Sequence, residues 1–521
     1  MKKIYFFLII IFLIGSFLRF YKLGEIPAGV HRDEAFLGYN AYSMFKTGRD
    51  MSGNFMPMHL KSFIYSPAGY AYFSIPPIAI FGLNTFSVRF ASALFGSLTI
   101  PLVYLLTQEL FKKKNLALTS SLIFAISPWH INLSRTATEN IIVTFFIILA
   151  ILLYLKKQLL YSFISFAITL ALYQAPRAFL PLFILLLIKK SNLKSYVLYF
   201  AVILIPIFLI ITNPNLSLRI RTVSLFADQN TQLSVDEYIR EDGVSGITRF
   251  GSRTFHNKLV SYSLKFLQNY ASHFSYDFLF TDKGLPDRYR VPGQGLLYIF
   301  ELPLLIVGLI AMLKKKYMLV LSWLLLAPVG SALAFDDIPN LQRTVFMTPV
   351  LSIFSAIGFV ALWKSKLRYL LLIVSLYCVG FFLHQYFIHL PIHKPWYRHE
   401  GYEQLVSSVN KFLPSYQKAV ITDRESAPAI FFLFFGRYDP ETYLKETAGR
   451  AIHDYDRANF GPYEFSQEEC PLRIDSKTSL LTGQVNVVYV NYATCVTPQS
   501  TNELESISRG DQSTVFRILT K

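Results

Sequence analysis

Residues 95–132 read FGSLTIPLVYLLTQELFKKKNLALTSSLIFAISPWHIN, two apolar stretches separated by Lys112-Lys113-Lys114. Each stretch approaches the roughly 20 apolar residues that cross a hydrocarbon core. A triple lysine between two such stretches has the form of a short cytoplasmic loop. Nine further apolar blocks precede or follow these along the 521 residues. Eleven spans result: Ile4–Phe20, Val88–Leu106, Leu116–Asn132, Glu139–Leu155, Leu159–Gln174, Ala178–Ile188, Ser195–Thr212, Gly295–Leu313, Tyr317–Ala334, Thr344–Trp363 and Tyr369–Leu390. The first follows Met1-Lys2-Lys3, and bulky Phe20-Tyr21-Lys22-Leu23 offers no small-residue cleavage site, so it reads as a retained helix.

Charge tests this layout. With a cytoplasmic amino terminus, the inside segments hold Lys2/Lys3, Lys112–Lys114, Lys156/Lys157, Lys189/Lys190/Lys194, Lys314–Lys316 and Lys364/Lys366/Arg368 against the single acid Glu109. Most of the net charge of +17 therefore sits on one side of the membrane. It reports orientation and contact with anionic lipid rather than nucleic-acid binding. Hydrophobic residues make up 53% and charged residues 16%, which excludes an ordinary soluble chain. The apolar run Pro67–Leu83 would invert this parity if it crossed. Pro76-Pro77 would also interrupt a regular helix, so the run is placed flat on the outer surface.

The expected fold is thus an α-helical polytopic membrane protein, residues 1–390, with extracytoplasmic loops at 21–87 and 213–294. Residues 391–521 form a small extracytoplasmic α/β domain. In that tail Gly401–Leu413 has helical spacing, while Lys418–Thr422, Ala429–Phe435 and Val485–Val490 read as strands. Of the three cysteines, Cys378 lies in the last span, and Cys470 and Cys495 in the tail are candidates for a disulfide. No CxxC pair or nucleotide fingerprint is present, so neither a metal nor a cofactor is expected.

The chemistry concentrates at outer helix ends. His31-Arg32-Asp33-Glu34 places two adjacent carboxylates just after the first span. A helix amino terminus alone would explain acids there. Arg89, Arg135, Arg177 and Arg343, with Glu139 close to Arg135, stand at the same membrane level on the outer side, against a pattern that otherwise places the excess of basic residues inside. A single arginine so placed can snorkel to headgroups. Four together match an anionic lipid phosphate, whose oxygens fit the guanidinium fork. His256, Lys258, Tyr270 and His273 in the second loop are possible acceptor contacts, although a lone His or Tyr in a loop is more often structural.

These residues carry a resemblance. Asp33-Glu34, Tyr65-Ser66-Pro67, Pro76-Pro77, Val88-Arg89-Phe90 and Ala93-Leu94-Phe95-Gly96, followed by Arg135, Glu139, Arg177 and Arg343, resemble the C-type glycosyltransferase superfamily. The similarity is to its protein O-mannosyltransferase and aminoarabinose transferase group, over residues 1 to about 390. The second loop is more similar to uncharacterised bacterial members. The resemblance implies inverting, metal-independent transfer of a sugar from a polyprenyl-phosphate donor to an acceptor hydroxyl. Asp33 would be the catalytic carboxylate with Glu34 beside it, and the arginines would hold the lipid phosphate. The chain departs from relatives that have Lys-Pro-Pro or His-Pro-Pro where Ser66-Pro67-Ala68 stands, which makes Lys61 or Tyr65 the substitute contact. The tail lacks the sugar-binding domain of eukaryotic O-mannosyltransferases. The competing reading is a transporter or flippase of lipid-linked glycans, which would place ionisable groups at the membrane midplane. Here the middles of the spans are nearly free of charge.

Overall fold

The computed structural model describes residues 2–61, 66–188, 193–212, 222–313, 318–448, 459–475 and 479–521. A helix stands in each of the eleven apolar blocks. Among the described residues, four helices are long and apolar enough to cross a membrane: Lys3–Phe20, Thr85–Phe111, Leu341–Leu362 and Arg368–His389. The helices Lys114–Ala125 and Pro128–Ser134, bent by 54° to one another, make up to a fifth. The remaining apolar helices are shorter. Lys189, Lys190 and Lys314–Lys316, part of the charge argument, lie outside the described residues.

The chain divides into two compact units. The first comprises Met1–Leu18, Phe95–Leu133 and Glu139–Phe382. Its helices meet by close backbone approach. A Cβ on Gly308 would lie 2.1 Å from the Phe354 carbonyl oxygen, and one on Gly358 2.1 Å from that of Leu304. Only hydrogen fits at either position, so Glu301–Met312 and Thr348–Leu362 pack through reciprocal glycines, as small residues allow in membrane helix pairs. Helix Lys114–Ala125 covers another face of Thr348–Leu362 through Leu116, Ile123 and Ala356. The described part of the second loop is largely helical, with Gln229–Val244, Arg249–Phe255 and Lys258–Ser272 each opened by an Asx or Thr cap.

The second unit comprises Arg19–Leu94, Ser134–Thr138 and Leu383–Lys521. Contrary to the sequence expectation, Gly69–Phe81 is helical with Pro76 and Pro77 inside it. Two prolines remove two N–H donors, but tertiary packing holds the helix. Tyr70 is buried and gives its hydroxyl to the Val88 carbonyl at 2.8 Å, and Ser74 bonds the Tyr70 carbonyl at 3.0 Å.

The tail forms a five-stranded sheet of β3 (Lys418–Thr422), β4 (Tyr463–Ser466), β5 (Val487–Tyr492), β6 (Asn502–Ser508) and β7 (Thr514–Thr520). The order is β4-β3-β5-β7-β6, with β3 parallel to both neighbours and the other pairs antiparallel. A further antiparallel pair, β1 (His59–Leu60) with β2 (Ser66–Pro67), lies in the first loop. The run read as a strand at Ala429–Phe435 is instead a helix, Pro428–Phe435. Residues Ala429 to Phe434 are all buried, so no alternation distinguishes helix from strand. Pro428 in its first turn suits a helix start. Tyr402 stacks on Phe431 at 4.1 Å between ring centres, tying the helix Tyr402–Phe412 to it. Cys470, after β4, and Cys495, after β5, form a disulfide.

Candidate active site

The helix Arg32–Thr47 begins with a capping box. His31 is the N-cap, and Glu34, three residues on, returns its carboxylate to the His31 N–H at 3.2 Å. Glu34 is also where three distant segments meet. Its Oε1 accepts from Arg89 Nε at 3.0 Å and from the Ala137 N–H at 2.8 Å. Oε2 accepts from Arg89 Nη2 at 3.0 Å. Two oxygens thus take four hydrogen bonds, the full capacity of a carboxylate. Burial pushes this carboxyl up, but the Arg89 guanidinium and the two backbone N–H groups outweigh it and hold it below the usual range.

Arg89 is equally committed. Its remaining N–H groups go to the carbonyls of Leu23 at 3.3 Å, Pro27 at 3.0 Å and Gly29 at 2.6 Å. All five donors are spent within the protein, and the side chain is 1% exposed. Gly29 permits this closure: its φ is 74°, and a Cβ there would lie 2.4 Å from the Arg398 carbonyl oxygen. Arg135 fastens the same loop from another direction, donating to the carbonyls of Arg19, Tyr21 and Ile26 at 3.0, 2.6 and 2.9 Å. The rings of Tyr386 and Phe387 lie 5.5 and 5.1 Å from its guanidinium carbon. Ser92, bonded to both Thr138 N–H and C=O, holds the strap Ser134–Thr138 so that Ala137 meets Glu34.

These contacts bear on two expectations. Arg89 and Arg135 direct guanidinium N–H groups at backbone carbonyls of residues 19–29. Glu34 has no lone pair left with which to receive a substrate proton. Asp33 differs. It lies in the first turn of the same helix with its side chain 59% exposed, 3.2 Å from His31 Nδ1. That nitrogen also faces the Asp33 N–H at 3.3 Å. When neutral at Nδ1 it accepts this N–H, and when protonated there it donates to the carboxylate.

The other candidates belong to the first unit or the loop rim. Arg343 gives two N–H groups to Asp336, at 2.9 and 3.0 Å, and is itself positioned by the Asn340 cap. Arg177 donates Nε–H to the Leu170 carbonyl at 3.1 Å. Glu139 opens the helix Glu139–Leu155 and is half-buried. His256 faces Asp242 at 3.6 Å. Lys61 is exposed beside β1, and Tyr65 lies outside the described residues. His273 is not placed to touch a substrate. Its Nδ1 bonds the Asn269 carbonyl at 2.8 Å and Nε2 bonds Ser331 Oγ at 2.8 Å, with the Asn340 N–H 3.3 Å away. Burial, aided by the charge of Arg343, pushes it down to about 4.

Sequence reasoning missed the segment after the last span. There Arg398, 4% exposed, bonds the Leu390 and His393 carbonyls, and the His399 ring lies 5.1 Å from that of His31. The run Pro395-Trp396-Tyr397-Arg398-His399, dense in aromatic and basic residues at a span end, was the available signal.

Comparison with known proteins places the arrangement. Residues 9–173 match the family model of dolichyl-phosphate-mannose-protein mannosyltransferases. Over 195 residues the chain is 31% identical to an uncharacterised protein of Aquifex aeolicus, spanning 35% of this chain and 38% of that protein's length. The crystal structure of ArnT from Cupriavidus metallidurans in the apo state superposes over 98% of this chain and 97% of its own, with a TM-score of 0.54 at 11% identity. The chain has the ArnT fold. The same enzyme bound to undecaprenyl phosphate superposes with equal coverage, a TM-score of 0.55 and 12% identity. The resemblance to C-type glycosyltransferases read from the sequence is borne out, and with it the class of helical membrane protein carrying a carboxy-terminal sheet domain.

Proposed function

We propose that the protein is an inverting glycosyltransferase that moves a sugar from a polyprenyl-phosphate donor to an acceptor hydroxyl on the extracytoplasmic face, with Asp33 as the base. One observation carries the assignment: of two adjacent carboxylates, Glu34 is saturated by Arg89 and backbone N–H groups while Asp33 stands exposed on the same rigid turn. The match of residues 9–173 to the mannosyltransferase family and the ArnT fold, known with undecaprenyl phosphate bound, support the donor class.

The acceptor oxygen attacks the anomeric carbon opposite the phosphate. As that C–O bond forms, the bond to the phosphate oxygen breaks, the proton passes to Asp33, and polyprenyl phosphate leaves as the anion. A hydroxyl is a weak nucleophile, so a positioned base contributes about 10²–10⁴-fold. Glu34, Arg89 and Arg135 position the turn and the loop around it. On the sequence resemblance, and not on a geometry shared with Asp33, the proposed ligands of the leaving phosphate are Arg343 and Arg177, since fixed guanidinium groups stabilise its growing charge. The extracytoplasmic face is supported by the sorting of lysine and arginine and by the Cys470–Cys495 disulfide, a bond that persists in oxidising compartments. The test is transfer from a polyprenyl-phosphate sugar by purified protein, with Asp33→Asn as the control. Full turnover by that variant would remove Asp33 from the reaction.

A further inference from the structure

The helices Arg249–Phe255 and Lys258–Ser272 leave a large apolar surface uncovered. Phe250, Phe255 and Leu259 are 86%, 72% and 79% exposed. Beside them runs a groove of about 560 Å³ lined by Leu225, Phe226, Tyr262, Phe266 and Leu333, with Lys258 also in its wall. That volume is of the size that takes a small ligand or a lipid chain.

Charge on this element has one sign. Residues 243–276 contain no Asp or Glu but hold Arg249, Arg253, Lys258 and Lys265. Among the described residues none of the four has an ion pair, and Arg249, Arg253 and Lys258 are exposed. The neighbouring helix Gln229–Val244 carries Asp236, Glu237, Glu241 and Asp242; of these Glu237 meets Arg240 of its own helix at 3.7 Å, Asp242 faces His256 at 3.6 Å, and none pairs with Arg249, Arg253, Lys258 or Lys265 among the described residues. The basic helix is also fastened to the end of an apolar one. Tyr270 bonds the Leu325 carbonyl at 2.8 Å, Asn269 bonds those of Ala332 and Ala334 at 3.3 and 3.0 Å, and Leu225 bonds that of Leu333 at 2.7 Å. Residues 325–334 close the block read as a membrane span, so the apolar, cationic element is held at the membrane surface.

We infer that these two helices bind an anionic phospholipid of the surrounding leaflet, its acyl chain in the groove and its phosphate on Arg253 and Lys258. An amphipathic helix with exposed Phe and Leu beside Lys and Arg has the chemistry of an interfacial element, and each base near an anionic surface favours it by about five-fold. The assignment goes beyond the transfer reaction and does not depend on it.

The test uses the full chain, Cys378→Ser with Phe250→Cys carrying a bimane fluorophore, in nanodiscs of equal phosphatidylglycerol and phosphatidylcholine. Bromine is placed on the acyl chains of one lipid or the other. Brominated phosphatidylglycerol should quench as though enriched up to about 25-fold over phosphatidylcholine, about five-fold for each of the two bases on the phosphate. Arg249→Gln, Arg253→Gln and Lys258→Gln combined should bring the two to parity without changing the melting temperature. Equal quenching in the parent protein would overturn the anionic preference, and absent quenching would show that water or protein covers the face. Displacement by one equivalent of undecaprenyl phosphate would give the groove to the sugar donor instead, and would also overturn the inference.

Discussion

Glu34 and Arg89, 55 residues apart in sequence, join through two parallel hydrogen bonds of 3.0 Å, and between them every acceptor of the carboxylate and every donor of the guanidinium is used. This pair connects the turn that bears Asp33 to the loop that leaves the first helix. A closed buried pair of this kind need not add net stability over an apolar substitute, but halving it leaves one charge stranded.

Removing Arg89 should therefore destabilise the protein strongly. Arg89→Gln is expected to cost about 3–5 kcal/mol, read as a fall in melting temperature in detergent. Arg89→Lys should not rescue it, because an ammonium cannot supply a five-donor planar fork. The pair Glu34→Leu with Arg89→Met should be more stable than either single variant. A Lys variant as stable as the parent would refute the geometry.

Asp33→Asn should lower the transfer rate by about 10²–10⁴-fold with an unchanged melting temperature. Glu34→Gln should behave in the opposite way, losing stability first. If both variants lose stability alone and keep turnover, the two acids serve only the helix terminus.

Arg343→Gln should raise the KM for the polyprenyl-phosphate sugar by about 10–100-fold, the loss of one charge-assisted contact of about 1.5–3 kcal/mol. Its melting temperature should change little, since its partner Asp336 is 43% exposed. An unchanged KM would take Arg343 out of donor binding.

Acid should weaken the first unit through His273. Its folded pKa of about 4 lies below the ordinary value of 6.5, so the unfolded chain binds the proton more readily. The neutral ring's contribution, roughly 3 kcal/mol, is fully present above pH 6.5 and is lost as pH falls towards 4. Glu34, also held below its ordinary value, adds a loss at still lower pH. Melting temperatures from pH 7 to 4 should fall less steeply in His273→Gln than in the parent protein.

Orientation is tested by cysteine labelling in a Cys378→Ser background. Gln232→Cys and Ser506→Cys, both exposed, should react with an impermeant maleimide from outside, and Lys113→Cys only after the membrane is opened. Labelling of residue 113 in intact cells would invert the layout. Breaking the disulfide with Cys470→Ser and Cys495→Ser should cost about 3 kcal/mol, from a loop of 25 residues.

The helical blocks and the α/β character of the tail were legible in the amino-acid order. Hydropathy and charge act over a single block, and a bilayer sorts each block separately. Local signals failed at two places: the run Ala429–Phe434 has no exposed face to set a period, and the helix Gly69–Phe81 continues through Pro76-Pro77, tied by the buried Tyr70 hydroxyl to the Val88 carbonyl. The roles of the charged residues were decided only by the tertiary structure. Asp33 and Glu34 are neighbours of the same chemistry, yet a strap 103 residues away and an arginine 55 residues away bury one and leave the other exposed. Sequence proximity to the membrane suggested that Arg89 and Arg135 face a phosphate. In the fold they meet the carbonyls of residues 19–29, because a loop that turns sharply under cover must find donors for its backbone oxygens.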